Sequence, residues 1–79
     1  MQENAPTYEE FYNQVKKGFW YYYDGLTEKE VDEYLKSEEK KIKRDYKSNL
    51  EEFTAGKITW RVFLNGGASA IAYCLQLMY

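Results

Sequence analysis

The chain has 79 residues and a net charge of −2, and 19% of it is Phe, Trp or Tyr. That length makes one domain, and the charge gives no overall pull towards nucleic acid or anionic lipid. One cysteine and no histidine exclude an intramolecular disulfide, a His-based acid or base and a Cys/His zinc site. The composition fits a reducing, cytoplasmic setting with no cofactor and no metal.

The first six residues read as a flexible arm with no basic and apolar leader pattern. A helix over 8–23 begins at Thr7, with Glu10 three residues on as the partner of a capping box. Phe11, Val15, Phe19 and Tyr22 recur at spacings of four, four and three, with Tyr8, Tyr12 and Tyr23 at the edge of that stripe. Gly18 interrupts the stripe and marks a close helix crossing, and Asp24-Gly25 ends the helix with a left-handed glycine. Phe19-Trp20-Tyr21-Tyr22-Tyr23 is too dense for one face. Successive helical positions differ by about 100°, so Trp20 and Tyr21 point to the back and side.

The second helix, over 28–54, opens with Thr27 and Glu30 as a capping box and Leu26 against Val31 as a hydrophobic staple. Val31, Leu35, Ile42, Tyr46, Leu50 and Phe53 line its apolar arc. Lys36 to Lys41 contains no apolar residue, so a bend or break near Ser37 would divide this rod and give four helices. Gly56 closes it. The third helix, over 60–78, is stapled by Ile58 and Phe63 around Thr59. Val62 to Tyr79 carries no charge, which meets the length of a membrane span. Arg61, Asn65, Ser69 and Gln76 share one polar stripe, however, and a buried bundle helix is the better reading, with no membrane partner. Gly66, Gly67, Ala68, Ser69, Ala70 and Ala72 make this helix slim enough for the ring-bearing first helix to pack closely. Cys74 falls on the apolar face and reads as a small buried hydrophobe. The fold expected is all-α, one domain over 1–79, a small antiparallel three-helix bundle.

No nucleophile, base and oxyanion site assemble in the sequence, so no enzyme activity is expected. Exposed amphipathic rings are interface anchors. Trp20 and Tyr21, with Tyr12 and Tyr23 at the rim, therefore form the candidate surface for another protein or for a second copy. Glu9, Glu28 and Glu30 would steer approach to a basic partner. Glu28, Glu30, Asp32 and Glu33 could in principle hold a hard cation, but first-turn carboxylates suit the helix dipole and no EF-hand spacing exists. Lys36, Lys40, Lys43, Arg44 and Lys47, with Lys29, make a basic stripe on the second helix, the footprint of nucleic-acid-backbone binding. Glu33 and Glu51 share that stripe, and the pairs Asp32–Lys36, Glu39–Lys43 and Lys47–Glu51 make a solvated face the simpler account. In size and acidity the chain is similar to protein-blocking inhibitors of phages and mobile elements. That likeness is an analogy carried by no particular residue.

Overall fold

The computed structural model describes residues 4–22 and 25–78. Among them there are four α-helices and no strand: α1 (Tyr8–Tyr22), α2 (Glu28–Ser37), α3 (Glu39–Thr54) and α4 (Ala68–Met78). A π-helical segment, Val62–Gly67, runs directly into α4. Tyr23 and Asp24, expected to close the first helix, lie outside the described residues.

The helix starts follow the capping chemistry. Thr7 Oγ1 accepts from the Glu10 amide at 3.1 Å while Glu10 Oε1 accepts from the Thr7 amide at 3.0 Å. Thr27 and Glu30 repeat the same exchange at α2, at 3.2 and 3.0 Å. Thr59 Oγ1 accepts from the Val62 amide at 3.1 Å. Each pair satisfies donors that a helix start leaves unpaired. Beyond the end of α3, Gly56 has the positive φ (76°) of a left-handed stop.

The long second rod is divided. Glu38 sits at φ −105°, ψ 18° between α2 and α3, and the Ser37 hydroxyl donates to the Tyr34 carbonyl at 2.6 Å. A serine bonding back to its own helix weakens the ladder there. With no apolar side chain between Lys36 and Lys41, nothing holds the rod straight. Bending lets Val31 and Leu35 on α2 and Ile42 on α3 all reach full burial.

Phe11, Val15 and Phe19 of α1 are completely buried with Phe63, Ala72 and Leu75. Rings fill one half of the core. Phe63 lies 5.9 Å from Phe11, 5.5 Å from Tyr46 and 6.0 Å from Phe53 between centroids, separations at which tilted aromatic pairs attract. Small residues fill the other half. A Cβ built on Gly18 would stand 3.0 Å from the Ala72 Cβ, so α1 and α4 cross almost backbone to backbone. Gly67 likewise has the Asn49 side chain against it, 2.8 Å from where a Cβ would be. The pairs Phe11–Phe63, Gln14–Asn65 and Gly18–Ala72 advance together, so α1 and the 62–78 rod run side by side in the same sense. The contacts Asn49–Gly67 and Lys41–Met78 show α3 running against that rod.

Three expectations are corrected. Part of the N-terminal arm is pinned: Pro6 is fully buried, and its carbonyl accepts from the Tyr46 hydroxyl at 2.7 Å. Cys74 is exposed, because Ala72 and Leu75 take the inward positions on either side of it. Within the slim stretch, Gly67, Ala68 and Ala72 face neighbouring helices, but Gly66, Ser69 and Ala70 face solvent.

Candidate functional site: the outer faces of the first helix

Trp20 and Tyr21 both reach solvent, at 38% and 83% exposure, but they serve different sides of α1. Asn13, Lys17 and Trp20 are four and three residues apart on one row, which turns towards the start of α2. With Lys16 and Glu28 they line a surface depression of about 410 Å³. Among the described residues nothing accepts a hydrogen bond from the Trp20 indole N–H. Gln14, Gly18 and Tyr21 form another row, and Gly18 is the residue pressed on Ala72. Tyr21 continues that row one turn beyond Gly18 and is mostly exposed. The two rings expected to form one patch are separated by the 100° step between adjacent helical positions.

A polar cluster ties α1 to α2 beside the tryptophan. The Tyr12 hydroxyl donates to Asp32 Oδ1 at 2.7 Å. Lys16 Nζ lies 3.0 Å from Glu28 Oε1 and 3.8 Å from Asp32 Oδ1, and Lys36 closes on Asp32 Oδ2 at 3.7 Å. The Tyr12 hydrogen bond above all, then Lys16 and Lys36, holds the Asp32 carboxyl below its usual range. Burial, followed by the bond to Asp32, pushes the Tyr12 phenol well above its ordinary value. These groups hold α2 against α1 and so fix one wall of the Trp20 depression.

On the far side of Tyr12 lies a second depression of about 300 Å³, lined by Tyr8, Glu9, Tyr12, Lys36 and Glu39. The Tyr8 hydroxyl is buried without a hydrogen-bond partner among the described residues. Burial first, then the Glu39 charge, raises its pKa. Lys43 Nζ sits 5.7 Å from the Tyr8 ring centre, a cation–π distance.

The expected acidic steering groups have distinct fates. Glu9 is exposed and has no ion-pair partner among the described residues. Glu28 is bound to Lys16. Glu30 caps its own helix, and the backbone N–H of Thr27 is the main cause of its lowered pKa. Tyr23 lies outside the described residues. In the basic stripe, Lys36 pairs with Asp32 and Lys43 with Glu39 at 3.1 Å. Lys40, Arg44 and Lys47 are exposed and lack an ion pair among the described residues, so the expected Lys47–Glu51 pair does not form.

Two features escaped the sequence reading. Asn13, Lys16 and Lys17 line the Trp20 depression, a placement signalled only by the four-and-three spacing of Asn13, Lys17 and Trp20. The other is the outer side of the 62–78 rod, where Val62, Tyr73, Leu77 and Met78 are large, apolar and exposed. Among the described residues no three His, Cys, Asp or Glu side chains gather as a metal site would require, and no helix is long and apolar enough to cross a membrane. No family model, curated protein or solved structure matches this chain.

Proposed function

We propose that this chain is a non-catalytic protein–protein interaction module of the cytoplasm, an inhibitor or adaptor that docks on a larger protein through the outer faces of α1. In this reading the fold is an antiparallel three-rod bundle whose second rod is bent at Glu38. The observation that carries it is Trp20: a part-exposed indole whose N–H has no acceptor among the described residues, standing in the wall of a depression of about 410 Å³. Tryptophan in such a setting is the commonest kind of interface anchor, since its large apolar area is desolvated and its N–H satisfied in one step. Tyr21 contributes a second ring on the α4 side, Tyr12 supports the wall, and Glu9 is the acidic group left for a basic partner.

The test is quantitative affinity capture from host lysate with immobilised wild-type chain, Trp20→Ala and Tyr21→Ala. Trp20→Ala should lose the captured protein while its circular dichroism stays that of the wild type. Equal capture by all three chains would overturn the reading. A second reading, nucleic-acid-backbone binding, is favoured by one observation only: Lys40, Arg44 and Lys47 stand four and three apart with no ion pair among the described residues. It requires a mobility shift of mixed-sequence duplex at low salt that charge reversal at Lys40 and Arg44 abolishes.

A further inference from the structure

The Trp20 depression is rich in hydrogen-bond donors and holds no unpaired carboxylate. Its wall is Asn13, Lys16, Lys17, Trp20 and Glu28. Among the described residues the Trp20 indole N–H has no acceptor, and neither the Asn13 amide nor the Lys17 ammonium has a hydrogen-bond or ion-pair partner. Glu28 is already held by Lys16 at 3.0 Å, and Lys16 also reaches Asp32 at 3.8 Å. Two ammonium groups against one carboxylate leave the wall at +1, in a chain whose net charge is −2.

We propose that this depression receives an Asp or Glu side chain of the partner protein, a reading that rests on the docking function proposed for α1 and gives the partner's surface its sign. The carboxylate sits on the Lys17 ammonium and the Trp20 N–H, and an apolar neighbour in the partner's chain covers the indole. Lys17 and Trp20 are three residues apart on one row of the helix, so their donors converge on one acceptor. Asn13, four residues before Lys17, adds an amide to the same row. Hydrogen bonds to an ionised acceptor are about twice as strong as neutral ones, which makes a carboxylate the best match for these donors. A basic side chain in the same place would face Lys17 as a like charge, and its only carboxylate is one that Lys16 already holds. A volume of about 410 Å³ holds one or two side chains, not a whole helix.

The sequence suggested the opposite sign, with Glu9, Glu28 and Glu30 drawing in a basic partner. Two of those charges are spent within the chain, Glu28 on Lys16 and Glu30 on the cap of α2. Glu9 remains exposed. It lies on the same row as Asn13, Lys17 and Trp20, about 16 Å along the helix from the tryptophan. A basic group meeting Glu9 therefore belongs to a different part of the same partner. An acid over Lys17 and a base over Glu9 fix the direction in which that partner lies along α1.

An NMR titration that follows the Trp20 indole N–H tests this, with the Trp60 indole as internal reference. Trp60 precedes Phe63, which packs on Phe11, and so stands towards the other end of α1 from Trp20. The probes are three capped dipeptides, N-acetyl-Phe-Asp-amide and its Asn and Lys counterparts, at neutral pH and low salt. The Asp peptide should shift the Trp20 signal saturably in the millimolar range and leave Trp60 in place. The uncharged Asn peptide, of the same shape, should bind about fivefold more weakly, the upper end for an ion pair open to water. The Lys peptide should bind more weakly still. Lys17→Gln should bring the Asp peptide down to the level of the Asn peptide, while Glu9→Gln leaves it unchanged and both variants keep the wild-type circular dichroism. No shift at Trp20, equal shifts by the three peptides, or an Asp peptide indifferent to Lys17→Gln would each overturn the proposal. If Trp20→Ala loses a captured protein but the depression does not prefer carboxylate, this proposal falls and the docking function stands. A depression that prefers carboxylate in a chain that captures no protein overturns the docking function and this proposal with it.

Discussion

Replacing Gly18 by alanine moves one methyl into the tightest place in the fold. The new Cβ would stand 3.0 Å from the Ala72 Cβ, where a relaxed carbon–carbon contact is about 3.5–4.0 Å. Two effects oppose each other. Alanine is the better helix former by about 1 kcal/mol, while overpacking a dense core costs about 1–3 kcal/mol. The net expectation is a loss of roughly 0–2 kcal/mol. Ala72→Gly alone should lose about 2 kcal/mol, from helix propensity plus one buried methyl. The double variant carries the methyl across the crossing and should recover close to wild-type stability. The coupling between the two positions is then the clash plus the methyl that the double variant buries again, about 2–4 kcal/mol. Urea unfolding followed by circular dichroism measures it, with each kcal/mol moving the thermal midpoint by about 4–8 °C in a domain of this size. Additivity within about 0.5 kcal/mol would refute the close crossing, and with it the packing of α1 on α4.

Tyr12→Phe removes the donor that most lowers the Asp32 carboxyl; the Asp32 pKa should rise towards ordinary values in an NMR titration, with a stability loss of about 0.5–1.5 kcal/mol, and an unmoved Asp32 would refute the hydrogen bond. The folded chain holds the phenolic protons of Tyr8, Tyr12 and Tyr46 more tightly than the unfolded chain does, burial being the first cause in each case. Their contribution is therefore whole below about pH 10, the unfolded value, and is lost as pH rises above it. Asp32 and Glu30 act in the opposite sense: their contribution is present above about pH 4 and lost as pH falls below it. The urea midpoint should thus fall on both sides, and the alkaline fall should shrink in Tyr12→Phe. Equal midpoints at pH 8 and pH 11 would contradict the burial of those phenols.

The local grammar of the chain was readable without coordinates because capping and staple signals act within four residues. Thr7 with Glu10, Thr27 with Glu30, and Thr59 before the last rod each mark a helix start that the fold uses. Gly18 as a crossing point and the break after Ser37 were readable too, the first from a missing side chain, the second from six residues with nothing to bury. Parts of the candidate site were less legible. The row Asn13, Lys17, Trp20 could be drawn on a helix, but which neighbour it would meet depends on where α2 folds back.

What the sequence determined by itself is the all-helical class, the capped helix starts and most of the inward residues, since these follow from periodicity and from bonds closed within a turn. Only the tertiary structure decided the rest: that Trp20 stands beside the start of α2, that Glu30 and Glu28 spend their charge inside the chain, and that Cys74, Tyr73 and Leu77 look outward. Each of these depends on how far around its circumference a helix is covered. That coverage is set by the angle and number of the helices packed against it, which no periodicity within one segment encodes.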